Sequence, residues 1–374
     1  MQKRLKVLLY SHYFYPALGG LETVSLTLAE GFTGKGIDCK VVTISKSNGS
    51  REFPFQVIRN PGNKEQIQLV KWADVVLFNG ASLALQPWVL LYGKPFVWVH
   101  VGYQVSCIDG LGWVNGVQAP IEPFKSFIYH TKQKGLGWGI KQAVKLCLRR
   151  FFAKYLVTKN IAITNWMSTM QPLPRQVHIY NPFPINQFLA SSNDRPEYDF
   201  IYLGRIVSEK GISTLLKAFA IVIEKNVEPA KLLMIGDGQW MNRMQQLAKD
   251  LNIDQYINFA GKKSGKELVD GVATGRIAII PSEWYEPMGG VALELMAADK
   301  NLIVSESGGL KECVGDVGLT FPNGNHEALA DCMMKLLNDT SLQNEFKLKG
   351  RERIKLFDPS IFISQYVDLL KEIT

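Results

Sequence analysis

Residues 276–294 of this 374-residue chain, RIAIIPSEWYEPMGGVALE, decide its fold. Residues 276–281 form a short, isoleucine-rich apolar run of the kind that fills a buried strand of a parallel sheet. A loop follows, and we expect a helix after the glycine pair Gly289 and Gly290. Since a strand, a loop and a helix in this order form the repeating unit of α/β proteins, the stretch predicts a parallel sheet.

Two carboxylates, Glu286 and Glu294, flank the glycine pair eight residues apart. Glu286 falls in the predicted loop, whereas Glu294 falls in the first two turns of the predicted helix. Because glycine carries no side chain, a ligand can approach Gly289 and Gly290 closely, and N–H groups at the start of a helix attract an anion. The stretch therefore predicts a metal-free phosphate site. The alternative is an amphipathic helix with a solvated glutamate at each end.

Apolar runs alternate with helical patterns along almost the whole chain, which is typical of parallel sheets built from βαβ units. We therefore expect two Rossmann-like domains, residues 1–183 and 198–358, joined by a proline-rich linker over 184–197, with the active site in a cleft between them. The apolar spacing of residues 359–374 predicts a final amphipathic helix. The predicted strands are 6–11, 39–44, 55–59, 74–78, 95–100, 160–163, 177–180, 199–204 and 276–281.

Composition supports a folded protein of about two domains, because 47% of the residues are hydrophobic and the chain is long enough for two cores. The five cysteines are scattered without paired or C-x-x-C spacing, which favours a reducing cytoplasm. Residues 75–93 carry no charge, but Asn79-Gly80 and Gln86-Pro87 divide them into a strand, a turn and a short helix. We therefore expect no membrane-spanning segment.

The spacing of Glu286 and Glu294 around the glycine pair resembles the E-x7-E element of retaining GT-B glycosyltransferases, in particular glycosyltransferase family 4. Further stretches resemble motifs of that family in the same order along the chain, from the first strand to about residue 320. They are Gly19-Gly-Leu-Glu-Thr23, His100 at the end of an apolar strand, Leu203-Gly-Arg205, Glu209-Lys-Gly211, Ile235-Gly-Asp-Gly238 and Ser307-Gly-Gly-Leu-Lys-Glu312.

The resemblance implies an α/β protein of GT-B fold, with two Rossmann-like, doubly wound parallel-sheet domains facing a central cleft and the final helix packing back on the first domain. It implies transfer of a sugar from a nucleotide-diphosphate sugar to an acceptor hydroxyl, with retention of anomeric configuration. No metal and no cofactor besides the UDP- or GDP-linked donor are expected. The implied catalytic residues are His100, Arg205, Lys210 and Glu286, and the implied donor-binding residues are Gly19, Gly20, Gly204, Gly236, Met288, Gly289, Gly290, Val291 and Glu294.

The resemblance also divides the roles. Arg205 and Lys210 hold the donor diphosphate, Glu294 binds the ribose, and Glu286 orients the donor sugar and supports it electrostatically. Enzymes that use UDP-glucose, UDP-N-acetylglucosamine, UDP-galactose or GDP-mannose share these motifs, so the nucleotide and the sugar stay open.

A basic segment is the second feature of the sequence, since residues 123–193 contain no acidic residue. Aromatic and aliphatic residues recur among its basic ones at near-helical spacing, which predicts that residues 125–159 bind an anionic membrane surface as a helix. A core-facing helix with a solvated basic outer face and a nucleic-acid patch are the alternatives. The ten basic residues of the segment are Lys125, Lys132, Lys134, Lys141, Lys145, Arg149, Arg150, Lys154, Lys159 and Arg175.

From the membrane interpretation we expect a lipid or lipid-linked glycan as acceptor, and a protein that lies peripherally on the cytoplasmic membrane face. Two other functions stay open at this point: a sugar-nucleotide epimerase of the same architecture, and a non-catalytic, basic surface-binding protein on this scaffold. The joint presence of Arg205, Lys210, Glu286 and Glu294 favours the transferase, because a protein without catalysis would not need all four.

Overall fold

The computed structural model describes residues 4–16, 19–46, 51–189, 196–225 and 228–374. Strands and helices alternate along these ranges. The strands are β1 (Lys6–Ser11), β2 (Asp38–Thr43), β3 (Gln56–Arg59), β4 (Val75–Asn79), β5 (Phe96–His100), β6 (Trp113–Val114), β7 (Val117–Gln118), β8 (Lys159–Ala162), β9 (Gln176–His178), β10 (Tyr198–Leu203), β11 (Leu232–Ile235), β12 (Ile257–Gly261), β13 (Gly275–Ile280), β14 (Asn301–Ser305) and β15 (Gly318–Phe321).

The α-helices of the described residues have between six and 16 residues. They are α1 (Gly20–Gly34), α2 (Asn63–Trp72), α3 (Gln86–Leu91), α4 (Pro123–Lys134), α5 (Leu136–Phe151), α6 (Asn165–Met170), α7 (Ile212–Lys225), α8 (Met241–Asp250), α9 (Gly265–Ala273), α10 (Gly290–Ala297), α11 (Gly309–Val314), α12 (His326–Asn338), α13 (Thr340–Arg353) and α14 (Pro359–Glu372). All nine predicted strands overlap observed ones, with ends displaced by at most two residues.

The first sheet has the strand order β3-β2-β1-β4-β5-β8-β9, and each neighbouring pair is parallel. Its central strands are buried on both faces, which explains why they appear in the sequence as continuous apolar runs. The chain order reverses between β1 and β4, whose last residues Ser11 and Asn79 are register partners. A reversal of this kind opens a crevice at the carboxyl ends of the strands, where α/β proteins bind ligands.

The second sheet has the order β12-β11-β10-β13-β14-β15 and is also parallel throughout. Its core joins the strands to α7, α8, α12 and α13 through side chains such as Phe200, Phe219 and Met333. The order reverses between β10 and β13, so the segments that follow Leu203 and Ile280 line the crevice of this sheet. Both sheets are therefore doubly wound, as the sequence predicts.

The chain forms two compact units, each built on one sheet. The first unit comprises Met1–Gly112, Ala119–Pro184 and Phe357–Thr374, and the second comprises Trp113–Gln118 and Ile185–Leu356. These bounds differ from the predicted domains in two places. The antiparallel hairpin of β6 and β7 was not predicted and belongs to the second unit, although the chain on both sides of it belongs to the first.

The predicted linker over 184–197 also differs from the structure. Residues Ile185–Phe188 form a short 3-10 helix of the second unit, where Ile185 and Phe188 are buried, so this part of the predicted linker packs on the second unit. Residues 190–195 of the predicted linker lie outside the described residues. Tight packing joins α14 to α1 in the first unit, because a Cβ atom added at Gly31 would lie 2.5 Å from Ile363 Cδ1.

Residues 75–93 form β4, a turn and α3, in agreement with the breaks predicted from their proline and glycine residues. Across the described ranges, none of the helices combines the length and the hydropathy that a membrane span requires. All five cysteines are free thiols in the structure.

Candidate functional site

The candidate site of the second unit lies at the reversal of its strand order. Gly204 and Arg205 follow β10, the loop 281–289 follows β13, and α10 begins directly after that loop. This strand, loop and helix are the elements that the opening stretch of sequence predicts. Gly204 and Gly236 directly follow β10 and β11, and a Cβ atom at Gly236 would lie 1.8 Å from the Gly204 carbonyl oxygen. Their small size therefore serves the contact between the two strand ends.

Gly211 brings the predicted diphosphate-binding lysine into the site. It has a φ of +66°, which favours glycine, and a Cβ atom there would lie 1.8 Å from the Pro281 carbonyl oxygen. The turn that carries Lys210 consequently packs directly against the start of the loop after β13. The Glu283 N–H group donates to the Glu209 carbonyl oxygen at 3.0 Å and joins the two segments further.

This packing places Lys210 against Glu286. The Lys210 ammonium lies 2.5 Å from Glu286 Oε1, and the Ser282 hydroxyl donates to the same oxygen at 2.6 Å. Lys210 Nζ also lies 5.4 Å from the centre of the Trp284 ring, whose π electrons attract a cation. Both charged side chains are largely buried, so their opposite charges and the hydroxyl compensate for lost hydration. Sequence reasoning gave these two residues separate tasks and did not predict their contact.

The loop after β14 fixes the backbone of Glu286 from two sides. The Glu286 N–H group donates to Ser307 Oγ at 3.3 Å, and the Glu286 carbonyl accepts from the Gly309 N–H group at 2.7 Å. Ser307 Oγ in turn contacts the Trp284 carbonyl oxygen. The sequence motif around Ser307 thus has a physical task here, because it holds the loop that carries the glutamate.

The environment of Gly289 in the structure differs from the sequence-based prediction of an open backbone donor. A Cβ atom at Gly289 would lie 2.7 Å from Leu310 Cδ1, and the Gly289 N–H group points to Cys313 Sγ at 3.4 Å. Glycine at 289 is therefore explained by packing against α11, and its amide is not an open anion donor. The first hydrogen bond inside α10 runs from Leu293 N–H to Gly289, so the amides of residues 290–292 precede it and remain the terminus that an anion would meet.

The helix α10 presents one narrow open face. Val291 and Glu294 are its only partly exposed residues, and their three-residue separation puts them on the same side. Met288 and Gly290 are buried beside them. Glu294 has no hydrogen-bond or ion-pair partner among the described residues, and desolvation raises its pKa to about 7. A carboxylate with unused acceptor capacity is suited to bind a pair of hydroxyl groups.

Arg205 extends from the same crevice and is anchored at one end. Its guanidinium NH2 lies 3.1 Å from Glu209 Oε1, and its side chain is 58% exposed while that of Glu209 is 9% exposed. The Tyr202 hydroxyl donates to the Arg205 carbonyl oxygen at 2.7 Å and holds its backbone. Arg205 is thus a cation with several free donor positions on a buried carboxylate, an arrangement suited to phosphate.

The first unit carries the remaining predicted residues. His100 ends β5 and is completely buried, with Nε2 2.9 Å from Asn160 Oδ1. The Asn160 amide group donates to the carbonyl oxygens of Ala153 and Pro174, both at 2.9 Å, which fixes its orientation. The imidazole proton is therefore assigned to Nε2. Burial lowers the pKa of His100 to about 4, so the ring is neutral near pH 7, and its Nδ1 atom has no hydrogen-bond partner in the described structure.

Gly19 and Gly20 begin α1 at the reversal point of the first sheet. Three buried polar side chains, which sequence reasoning missed, fix this turn. Ser25 Oγ lies 2.7 Å from Ser11 Oγ, and Asn79 Nδ2 donates to Ser25 Oγ at 2.7 Å. The sequence feature that could have predicted this cluster is a polar residue at the end of each apolar strand, since Ser11 and Asn79 are the last residues of β1 and β4. A Cβ atom at Gly20 would meet nothing nearer than Phe183 at 4.0 Å, so its face has room.

The basic segment forms α4 and α5, and α5 continues as a π-helical turn over Phe152–Leu156. Gly139, Leu146 and Ala153 face the protein, at seven-residue intervals. The opposite side of α5 and its continuation carries six exposed apolar side chains at intervals of four, four, four, three and four residues. They form the exposed stripe: Leu136, Ile140, Val144, Leu148, Phe151 and Tyr155. Exposed lysines flank it, namely Lys132, Lys134, Lys141, Lys145 and Lys154.

A metal site requires several clustered ligands. In the parts of the chain that the structure describes, no three His, Cys, Asp or Glu side chains come together in this way.

Residues 186–353 match the family described as "Glycosyl transferases group 1". This match covers most of the second unit, which carries Arg205, Lys210, Glu286 and Glu294. An uncharacterized glycosyltransferase of Methanocaldococcus jannaschii is 28% identical over 94% of this chain and 94% of its own length. The GDP-mannose-dependent monoacylated alpha-(1-6)-phosphatidylinositol monomannoside mannosyltransferase of Corynebacterium glutamicum is 27% identical over 95% of this chain and 94% of its own length.

Other relatives match over a smaller part. Three of them, at 29% to 34% identity, are covered over only 28% to 48% of their own length. Among solved structures, Anabaena HepE in complex with UDP-glucose has a TM-score of 0.75 at 17% identity, and the alignment covers 99% of this chain and 100% of that chain. The fold is GT-B. The predicted fold class is thereby confirmed, and the comparisons together support a glycosyltransferase.

Proposed function

We propose that this protein is a retaining, metal-independent glycosyltransferase that moves a sugar from a nucleoside-diphosphate sugar to an acceptor hydroxyl. The observation that carries the proposal is the contact between Lys210 and Glu286 at the reversal point of the second sheet. There a cation for the leaving diphosphate and a carboxylate for the sugar meet, so the pair marks the position of the bond between sugar and phosphate.

The donor is held by groups with separate tasks. Arg205 and Lys210 bind the diphosphate together with the amides at the start of α10, because all of them are fixed positive or partially positive groups. Glu294 accepts hydrogen bonds from the ribose hydroxyl groups, and Val291 packs beside it on the open face of α10. In the first unit, Gly20 stays a proposed donor-binding residue and His100 a proposed catalytic residue, with an Nδ1 atom that has no hydrogen-bond partner in the described structure.

The chemical step is a front-face displacement. The bond between the anomeric carbon and the phosphate oxygen breaks, the acceptor oxygen attacks from the same face, and the departing phosphate oxygen takes the acceptor proton. Lys210 stabilises the charge that develops on the diphosphate, which is worth a few kcal/mol for one oriented group. Glu286 shares its Oε1 atom with Lys210 and Ser282, which lowers its nucleophilicity and favours an orienting and electrostatic role.

The donor class is a UDP- or GDP-linked sugar. HepE, whose fold this chain shares, is crystallised with UDP-glucose, and the mannosyltransferase of C. glutamicum is named as GDP-mannose-dependent. The two names differ in base and sugar, so they do not choose between the nucleotides.

The acceptor is a lipid or a lipid-linked glycan at an anionic membrane surface, to which the protein binds peripherally from the cytoplasmic side. This part of the proposal is supported by the exposed stripe, whose six apolar side chains point away from the protein between flanking lysines. A basic helix that is merely solvated would not expose a continuous apolar row. Each lysine near an anionic leaflet contributes about 1 kcal/mol, and the apolar row adds partial burial in the interface. The name of the C. glutamicum relative contains a monoacylated phosphatidylinositol monomannoside, which is a glycolipid.

The test of the proposed activity is nucleotide binding followed by turnover. UDP, GDP, ADP and their sugars are titrated in a chelator-containing buffer against the wild type, Glu294→Ala and Lys210→Ala. We expect one nucleotide family to bind selectively and both substitutions to weaken it. An absence of nucleotide binding by the folded wild type would contradict the transferase site and leave the fold unaffected.

A further inference from the structure

The hairpin of β6 and β7 places one indole next to the turn that precedes Lys210. Trp113 is 9% exposed, and its Nε1–H group lies 2.9 Å from Ser208 Oγ. Ser208 begins the short 3-10 helix Ser208–Lys210. Both residues belong to the second unit, although Trp113 precedes Ser208 by 95 residues.

The direction of the hydrogen bonds at Ser208 follows from the chemistry of the indole. An indole N–H group can only donate, so Ser208 Oγ must accept from Trp113. Its single hydroxyl proton is then available for Glu209 Oε2, which lies at 3.3 Å. The other oxygen of the same carboxylate, Oε1, accepts from Arg205 at 3.1 Å. The chain of donors therefore runs from Trp113 through Ser208 to Glu209, where it meets Arg205.

Glu209 is the fixed point of this arrangement, because it is a buried carboxylate and only 7% of its surface is exposed. A largely exposed arginine gains little from an ion pair and is not confined to one rotamer by it. Here, however, the partner carboxylate is buried and has its second oxygen held by Ser208, so the Arg205 fork meets an acceptor of fixed direction. The carbonyl of Glu209 accepts from Glu283, so the same residue also joins the loop that carries Glu286.

We propose that Trp113 is a positioning residue for the diphosphate site, acting through Ser208 and Glu209 on the orientation of Arg205. The inference rests on the proposed function, since it concerns how Arg205 meets the donor phosphates. Trp113 itself takes no part in the chemical step. When the indole N–H group of Trp113 is removed, the Ser208 hydroxyl is free to rotate. Glu209 then loses the hydrogen bond that fixes its Oε2 atom, and Arg205 samples more orientations.

The experiment compares Trp113→Phe and Ser208→Ala with the wild type in binding UDP and GDP, and in parallel UMP and GMP. Phenylalanine keeps the buried ring and removes the N–H group. We expect diphosphate binding to weaken by about three- to tenfold, the effect of one hydrogen bond, while monophosphate binding stays unchanged. Trp88→Phe is the matched control, because Trp88 likewise donates its indole N–H to a side chain, Gln66 Oε1, at 3.0 Å in the first unit.

A double-mutant cycle separates positioning from a general structural effect. In the Arg205→Ala background, Trp113→Phe should cause no further loss of diphosphate binding. The proposal is overturned if Trp113→Phe and Ser208→Ala leave diphosphate binding unchanged, if they weaken monophosphates equally, or if the loss persists without Arg205. A folded wild type that binds neither class of nucleotide contradicts the proposed function itself, and this inference with it.

Discussion

Lys210 Nζ lies 2.5 Å from Glu286 Oε1, and Ser282 donates to the same oxygen at 2.6 Å. The contact joins two segments that are 76 residues apart in the sequence and that follow neighbouring strands of one sheet. It makes a cation and a carboxylate part of one buried unit, in which removing either charge leaves the other without its ion-pair partner.

Lys210→Ala should reduce the rate of sugar transfer by about 10² to 10³, because one preorganised charge that stabilises a leaving group is worth this much. It should also lower the free energy of unfolding, since it leaves the buried Glu286 carboxylate without its cation. Lys249→Ala, at an exposed position of α8, serves as the control and should change neither quantity. Full turnover of a folded Lys210→Ala protein would contradict the role of this lysine.

The raised pKa of Glu294 predicts that nucleotide affinity depends on pH. Its pKa is raised to about 7, so the carboxylate is protonated below that value and becomes a double acceptor above it. Affinity for UDP or GDP should therefore increase as the pH rises from 6 to about 8, and Glu294→Gln should remove this increase. Since the same ligand is used for both proteins, titration of the nucleotide phosphate cancels. An identical pH profile for wild type and variant would argue against ribose binding by Glu294.

The raised pKa of Glu294 also makes the free energy of unfolding depend on pH, and this quantity falls as the pH rises. Its folded-state pKa lies above the ordinary value of 4.5, so the unfolded chain releases this proton first as the pH rises. The contribution to the free energy of unfolding is fully present below about pH 4.5 and is lost as the pH passes through 7. Chemical denaturation of wild type and Glu294→Gln at pH 5 and pH 8 measures this difference directly.

The lowered pKa of His100 predicts that the free energy of unfolding falls as the solution becomes more acidic. Burial lowers its pKa to about 4 from 6.5, so the unfolded chain takes up a proton on this ring before the folded protein does. Its contribution to stability is present above pH 6.5 and is lost as the pH falls towards 4. His100→Asn should flatten the decline of the free energy of unfolding over this range. The pH profile of sugar transfer should show no step that His100→Asn removes between pH 6 and 8.

The exposed stripe predicts membrane binding that needs both apolar and charged groups. The triple variant Ile140→Ser, Val144→Ser and Phe151→Ser should reduce co-sedimentation with phosphatidylglycerol vesicles by about tenfold or more, because each side chain loses apolar burial. Leu348→Ser is the control, since Leu348 is 63% exposed on α13 of the second unit. Added salt should weaken binding of the wild type, and phosphatidylcholine vesicles should bind it poorly. Equal sedimentation of the triple variant and the wild type would exclude the stripe as the membrane contact.

Gly211→Ala should destabilise the second unit by about 1–3 kcal/mol or more and abolish transfer, because an L-residue is strained at this φ and its Cβ atom would overlap the Pro281 carbonyl. Gly137→Ala is the matched control. It lies in α5 with nothing within 4 Å of an added Cβ atom, so alanine should stabilise the helix slightly. Thermal unfolding and nucleotide binding of the two variants provide the comparison.

The fold followed from local patterns in the sequence. Apolar runs such as residues 276–281 predicted buried parallel strands, because a strand buried on both faces appears in the sequence as a continuous apolar run. Their alternation with helical patterns predicted two Rossmann-like domains. The strand ends and the start of α10 were also accessible, since glycine pairs and polar residues stop a strand locally. The candidate residues came from motif resemblance, which supplies positions and leaves contacts undetermined.

Three features depended on the tertiary structure. The sequence suggested that Gly289 is an open backbone donor, yet Leu310 and Cys313 cover it. Local sequence patterns do not predict where α11 packs, so this contact could not be predicted. The two faces of α5 look alike in sequence, since both are apolar, and only packing decides which one stays exposed. The hairpin around Trp113 belongs to the second unit.

The sequence by itself determined the strands, their alternation with helices in two domains and, through its motif resemblance, the doubly wound topology and the candidate donor-site residues. The tertiary structure decided that Lys210 pairs with Glu286, that His100 is neutral and that Glu294 has a raised pKa. Hydrophobic periodicity and turn residues act over a few neighbouring positions, so they can be recognised in the sequence. Charge pairing and desolvation depend on groups that folding brings together from distant positions, so they are set only when the strands have taken their places in the sheet.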